Sequence, residues 1–378
     1  MATVALPNPK SNMTLLVATI GFLVTGAFVV ANLVTKGHHA FNTDNLGLFW
    51  TLPIVTYDVF LLTSTGLAMT ACIGLVLGVE DFNAIAKRCL WLALAGLSGG
   101  VLALFLELGH PLRSLYAIPL NLQTTSPLFW KVQAIGAYVV LLLLLLSRAV
   151  RPGWTPQSTR GLSIAVMIAA LAISMLAGSV FGMMAMRPHW YGGEVPVAFH
   201  IESLLGGMAF AIFFTYLAYG FDQTRLPANV RTLFNGKMRV AFLVVISLHV
   251  MFLGARVVSG LWSNAEGLEL WQHFARSPLF RVEIWMCVAL PFVLMLLPGV
   301  RETGWAQVLA AALVAVGLFI ARYDFIIGGQ LVPLFKGSWA PELLSYTPSL
   351  TEWMLLAMAI FLANVVNAWG ERQFNLEA

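Results

Sequence analysis

Blocks of mostly apolar residues recur along the chain, separated by short polar stretches, and about 20 such residues in a helix cross roughly 30 Å of hydrocarbon. Ten blocks of that kind lie at about 13–34, 50–79, 90–108, 128–147, 161–186, 197–220, 238–262, 279–298, 305–325 and 350–368. The pattern predicts an all-α integral membrane protein with ten transmembrane helices and no stretch left over for an independent soluble domain. The first block follows a single Lys10 and has no convincing small-residue cleavage site after it, so it reads as a retained helix and not a signal peptide.

The polar breaks carry an internal repeat. Ser126-Pro127-Leu128-Phe129 opens the fourth block and Ser277-Pro278-Leu279-Phe280 the eighth. Leu52-Pro53-Ile54 opens the second and Val195-Pro196-Val197 the sixth. Two matches in the same order, at similar offsets, predict two four-helix bundles (spans 2–5 and 6–9) related by a pseudo-two-fold axis along the membrane normal. The domain reading is then residues 1–49 as a peripheral helix and loop, 50–186 and 187–325 as the two bundles, and 326–378 as a loop and second peripheral helix.

Composition agrees: 59% of the 378 residues are hydrophobic and 10% charged, where soluble domains carry about 25% charged residues. A soluble globular enzyme is excluded. The formal charge of +4 has no basic run to direct at nucleic acid, and topology accounts for it better. Lys10, Lys87, Arg88, Arg148, Arg151, Arg160, Arg225, Arg231, Lys237, Arg239, Arg301 and Arg372 fall on the side of the termini. Lys36, Arg113, Arg187, Arg276, Arg281 and Lys336 fall on the other. Twelve against six places both termini in the cytoplasm. Cys72, Cys89 and Cys287 stand far apart with no CxxC, so no disulfide framework, zinc site or iron–sulfur ligand set can be built from them.

Ionisable groups at membrane depth are costly and mark function by default. On the ten-span map they fall in the half away from the termini: Asp58, Glu107 and His110, His200 and Glu202, His249 and Arg256, Arg281 and Glu283, Arg322 and Asp324, and Glu352. Snorkelling to the interface is an equal reading for Lys131, Arg281 and Glu352, and the better one for Arg276. It fails for Asp58, His249 and Arg256, which sit too deep; structural ion pairs stay open for any single Arg or Asp. Such a cluster suits quinone chemistry, which needs hydrogen-bond donors to carbonyl oxygens, a proton-exchanging group and an apolar slot. Tyr57, Asp58, His110, His200, Glu202 and Arg322 are expected to converge on one pocket, with Phe49, Trp50, Tyr116 and Trp130 as ring surface. Thr51, Thr56, Thr63, Ser64, Thr65 and Thr70 in the second span form a hydroxyl row that either carries a water chain or, more commonly, bonds carbonyls and packs helices. Only His249 among seven histidines lies well inside a span, so bis-histidine haem is not expected. An ion-coupled secondary transporter using Asp58 and Arg322 remains the alternative.

These residues resemble the NrfD/PsrC-like family of membrane subunits. The likeness lies in Leu52 through Asp58 with Gly66, in Glu107-Leu108-Gly109-His110-Pro111, in Ser126-Pro127, and in Arg322 followed by Gly328-Gly329-Gln330. Ten spans are similar to the branch that holds the HybB and DsrP types. His110 stands where relatives often have Arg. The resemblance implies a haem-free, quinone-reactive (menaquinone or ubiquinone) anchor in the bacterial inner membrane, with no cluster of its own. It would exchange electrons with a periplasmic-side, four-cluster ferredoxin-like iron–sulfur subunit serving a catalytic subunit such as a molybdopterin oxidoreductase or hydrogenase. The chain alone would not turn over the terminal substrate. By the same resemblance Tyr57, Asp58, Glu107, His110 and Arg322 border the headgroup. Asp58, Glu107, His200 and Glu202 are the expected proton-handling residues; His200 and Gln330 join the binding set.

Overall fold

The computed structural model describes residues 9–43, 47–263, 268, 270–334 and 342–377, without the side chains of residues 9–12, 115, 118 and 119. Lys336 and the side chain of Lys10, which count toward the topology, lie outside the described residues. The described residues are helical throughout, with no strand among them. In hydrocarbon every backbone N–H and C=O must be satisfied within the segment, which is why apolar runs of this length fold as helices. In chain order these are α1 (Pro9–Lys36), α2 (Leu52–Leu75), α3 (Asn83–Glu107), α4 (Pro111–Leu120), α5 (Pro127–Ala149), α6 (Arg160–Gly182) and α7 (Val195–Ala218). There follow α8 (Ala228–Asn235), α9 (Lys237–Trp262), α10 (Leu270–Arg276), α11 (Pro278–Val282), a π-helical turn (Glu283–Ala289), α12 (Leu290–Leu296), α13 (Gly304–Leu331) and α14 (Leu350–Gln373). Ten helices among the described residues are long and apolar enough to span a bilayer.

Proline starts the helices at the repeated motifs: Pro53, Pro127, Pro196 and Pro278 all sit in the first two positions, where the missing N–H is not needed. Several boundaries move, each for a reason in the packing. The α3 helix starts at Asn83, earlier than the apolar block, because Arg88 is buried and holds both carboxylate oxygens of Glu371 at 2.7 and 3.2 Å. The α13 helix continues to Leu331, so Arg322 and Asp324 do not close it but lie roughly two turns inside. The eighth span is interrupted, with a π turn between α11 and α12. Pro291, just after that turn, lacks the N–H that would bond the Cys287 carbonyl.

The interior is organised around α2, most of whose residues are buried and which packs on α3, α6, α7, α13 and α14. It crosses α7 at Gly66 and Gly207, where a Cβ on either residue would run into the other helix's backbone. Such close approach is the usual device of helix association in lipid, where packing and not apolar transfer is the driving force. The row of α2 hydroxyls takes the packing role: Thr56 and Thr70 bond carbonyls one turn back, Ser64 bonds Ala93 O, and Thr65 meets Ser203. The α1 helix packs on α14, which lies against α3. Exposed Trp130, Trp262, Trp305, Trp353 and Trp369 sit at helix ends, where amphipathic rings anchor to the bilayer interface.

Substituting Gly207→Ala should destabilise the protein by about 1–3 kcal/mol, read as a lower unfolding midpoint in detergent. Gly254→Ala, whose added Cβ meets open space, should leave the midpoint unchanged. Equal effects would contradict the crossing as a tight contact.

Candidate functional site

Five ionisable side chains from five spanning helices form one continuous chain. Arg322 of α13 lies at its centre, with Nε 3.2 Å from Asp58 Oδ2 of α2 and Nη2 on Glu202 Oε2 of α7. Lys131 Nζ of α5 stands 3.7 Å from Asp58 Oδ1, and His249 Nδ1 of α9 stands 3.8 Å from Glu202 Oε1. Lys131, Asp58 and Arg322 are all nearly inaccessible, so Lys131 does not snorkel. The Arg322 guanidinium also covers the Phe199 ring at 3.5 Å from its centroid, and the Lys131 ammonium stands 5.0 Å over Tyr57. Two cations alternate with two carboxylates and end on an imidazole. A buried charge is tolerated when paired in this way and costs heavily when left alone.

Beside this chain lies a cavity holding about 650 Å³ of empty space, its mouth included. Glu202, His249, Arg256, Glu283, Arg322 and Asp324 bring charge or hydrogen bonds to its wall, while Phe199, Phe252, Trp271, Phe274, Phe280 and Phe325 supply rings. Its walls are α7, α9, α13 and the interrupted eighth span, and α10 bridges α9 and α11 above it. This size and lining, aromatic with a few convergent polar groups, are those of a small-molecule site. His189, in the loop before α7, completes the wall among Trp271, Phe274 and Phe325. Burial, reinforced by the Arg256 charge, pushes its pKa well below the ordinary histidine value. It is therefore a neutral group with one N–H and one lone pair. Arg256 Nη2 donates to its backbone carbonyl, and the guanidinium stands 5.0 Å over Phe325.

Of the residues expected to converge, Asp58, Glu202 and Arg322 do so, and Tyr57 joins through Lys131. Others lie elsewhere. His200 meets Ser174 Oγ of α6 at 2.9 Å; residues two apart on a helix are about 200° apart, so His200-x-Glu202 cannot present both side chains to one pocket. His110 is exposed ahead of α4, and Glu107 ends α3, where its carbonyl accepts from His38 Nε2 at 2.8 Å. Phe49, Tyr116 and Trp130 are exposed, and Trp50 stacks on Trp190 at 5.3 Å, so the expected ring surface is replaced by the phenylalanines and Trp271 of the cavity. Gln330 is fully occupied by the backbone: its Oε1 accepts from Phe49 and Trp50 N–H at 2.9 and 2.8 Å, and its Nε2 donates to Trp50 O and Ile326 O. Arg187 reinforces the same clamp, donating to Val332 O and Gly47 O at 2.8 and 2.9 Å. Tyr346 takes the Leu52 N–H and donates to Glu352, whose carboxylate closes a capping box with Ser349 and is wholly buried, so it does not snorkel either. The sequence reading did not assign His189, Lys131, Arg256, Glu283 or Asp324 to the site. Depth in a span was the available signal for all but His189, which comes from a loop that folds inward.

Among the described residues no group of three or more His, Cys, Asp or Glu side chains is arranged to hold a metal ion. Fold and site together define a multi-pass helical membrane protein with an ion-paired interior opening on an aromatic cavity. A family model described as polysulphide reductase, NrfD, matches residues 40–334, and the chain belongs to that family. It is 23% identical to one of the selenate reductase subunits of Mesobacillus selenatarsenatis over 358 residues, covering 80% of each chain. It is 21% identical to an Hdr-like menaquinol oxidoreductase integral membrane subunit of Archaeoglobus fulgidus over 384 residues, covering 92% of each.

Arg322→Gln strands Asp58 and Glu202 and should cost about 3–5 kcal/mol of stability. Lys131→Met should cost less, because Arg322 still compensates Asp58. Unfolding titrations in mixed micelles measure both; a larger loss for Lys131→Met would refute Arg322 as the hub.

Proposed function

We propose that the chain is the quinone-reactive membrane subunit of a respiratory oxidoreductase complex. It exchanges electrons between the bilayer quinone pool and an iron–sulfur subunit of the four-cluster ferredoxin-like kind, docked on the face opposite the termini. Beyond that partner would lie a catalytic subunit of the molybdopterin or hydrogenase class. The observation that carries this reading is the cavity: ring-lined, walled by spanning helices, with arginine, histidine and carboxyl groups meeting at membrane depth. Family membership and the menaquinol oxidoreductase relative from Archaeoglobus fulgidus support it.

The residues fit such a ligand. Phe199, Phe252 and Phe325 supply ring surface to the wall, and Arg256 and Arg322 hold N–H donors for an oxygen. When bound, a quinol supplies two electrons and two protons. Glu202 holds Arg322 at the cavity wall, with His249 Nδ1 3.8 Å from its other oxygen. Asp58, backed by Lys131, positions Arg322 and does not line the cavity. We further propose that spans 2–5 and 6–9 form two related halves meeting at the α2–α7 crossing, with 1–49 and 326–378 as additions; the four matched proline starts support this. The basic surplus on the side of the termini supports their cytoplasmic placement in a bacterial inner membrane.

In the assembled complex, Glu202→Gln, which removes the carboxylate that holds Arg322 at the cavity wall, should slow quinol-analogue oxidation by about 10²-fold, while chemical reduction of the partner's clusters stays normal. A wild-type complex that neither oxidises quinol nor reduces quinone would overturn the function. For topology, Gln157→Cys should label from the cytoplasmic side and Gln123→Cys from the opposite side; the reverse pattern would invert the orientation. The native cysteines are buried and should stay silent.

A further inference from the structure

The geometry points to Glu283, with Asp324, as the proton-accepting carboxyl pair of the cavity, separate from the ion-paired carboxylates Asp58 and Glu202. This inference rests on the quinone reading above. Four carboxyl groups lie in or beside the pocket. Asp58 is committed to Lys131 and Arg322, and Glu202 to Arg322 and His249. Protonating either would leave a buried cation uncompensated, so each proton exchanged there must break an ion pair. Glu283 is 2% exposed, lines the cavity and has neither hydrogen bond nor ion pair among the described residues. Asp324 also lines the cavity, and its Oδ2 is buried without a hydrogen-bond partner. These two can gain and lose a proton with no ion pair to break.

Local structure singles out Glu283 further. It is the first residue of the π turn, a widened element that recurs at functional sites. The turn is seated by Gly317 of α13, where a Cβ would strike Cys287. A carboxyl with no partner in the interior of a membrane helix is costly to keep, and a packing role would be served as well by a neutral side chain.

For each quinol hydroxyl the O–H bond breaks, the electron goes to the partner's one-electron iron–sulfur acceptor and the proton to a carboxylate. Two such transfers, each proton taken by the ionised member of the Glu283–Asp324 pair and released toward the cavity mouth before the next arrives, convert quinol to quinone. Glu202, His249, Arg256, His189 and Arg322 face the same space from α7, α9, the loop before α7 and α13, and will shape the pH profile.

The test uses the assembled complex with Glu283→Gln and Glu283→Asp, measuring quinol-analogue oxidation against pH, binding of a non-oxidisable quinone analogue, and subunit assembly. Glu283→Gln should lower kcat by about 10²-fold, remove the acid limb of the profile and leave analogue binding unchanged; Glu283→Asp should recover part of the rate. Glu302→Gln, on the face of the termini, should behave as wild type. Glu283→Gln turning over at nearly the wild-type rate would overturn the inference while leaving the quinone function standing. So would a rate loss matched by equal loss of binding, or failure of both variants to assemble. An inactive wild-type complex would instead refute the function itself.

Discussion

A guanidinium group at membrane depth is the constraint around which the rest of the interior is arranged. Arg322 cannot reach water from inside α13, so its charge must be met by carboxylates from neighbouring helices. Asp58 and Glu202 do this from α2 and α7. Each carboxylate then sits near a second group, Lys131 or His249. In a low-dielectric interior the attraction between close opposite charges is strong and its loss expensive. Five helices are thereby tied to one another by these pairings. The tight α2–α7 crossing at Gly66 and Gly207 brings two of those helices close enough for the chain to close.

That arrangement divides the carboxyl groups by what they are free to do. Asp58 and Glu202 are held by cations, whereas Glu283 and Asp324 line the cavity with no ion pair among the described residues. Elsewhere, side chains satisfy backbone groups of the connecting segments. Gln330 and Arg187 bind the segment before α2 to the end of α13, and Tyr346 and Glu352 bind it to α14. Backbone groups near the bilayer interface need such partners as much as those within it. The loop before α7, tied to the same clamp through Arg187, carries the buried, neutral His189 into the cavity wall.

Much of the architecture was legible in the chain because the bilayer demands it. A run of about 20 apolar residues can be satisfied only as a spanning helix, so the ten spans and their proline starts follow from local composition. The same logic made Asp58, Glu202 and Arg322 stand out, since each lies in an apolar run where a charge is costly. Less legible was anything set by helical phase or neighbouring helices. His200 and Glu202 are nearly adjacent in sequence yet face opposite sides of α7. Gln330, part of a family motif, spends its hydrogen bonds on the backbone of another loop.

Sequence alone determined the spans, the family and the scarcity of charge that makes each buried ionisable residue notable, because transfer of side chains from water to hydrocarbon is a property of composition. Tertiary structure decided which charges meet. Arg322 stands near the end of its apolar block yet lies about two turns inside its helix; Lys131 and Glu352, as suited to snorkelling as to pairing, are buried among partners. Pairing depends on the rotation and crossing of helices far apart in sequence, and no local pattern encodes that. Only the folded chain separates carboxyls neutralised by cations from those left free.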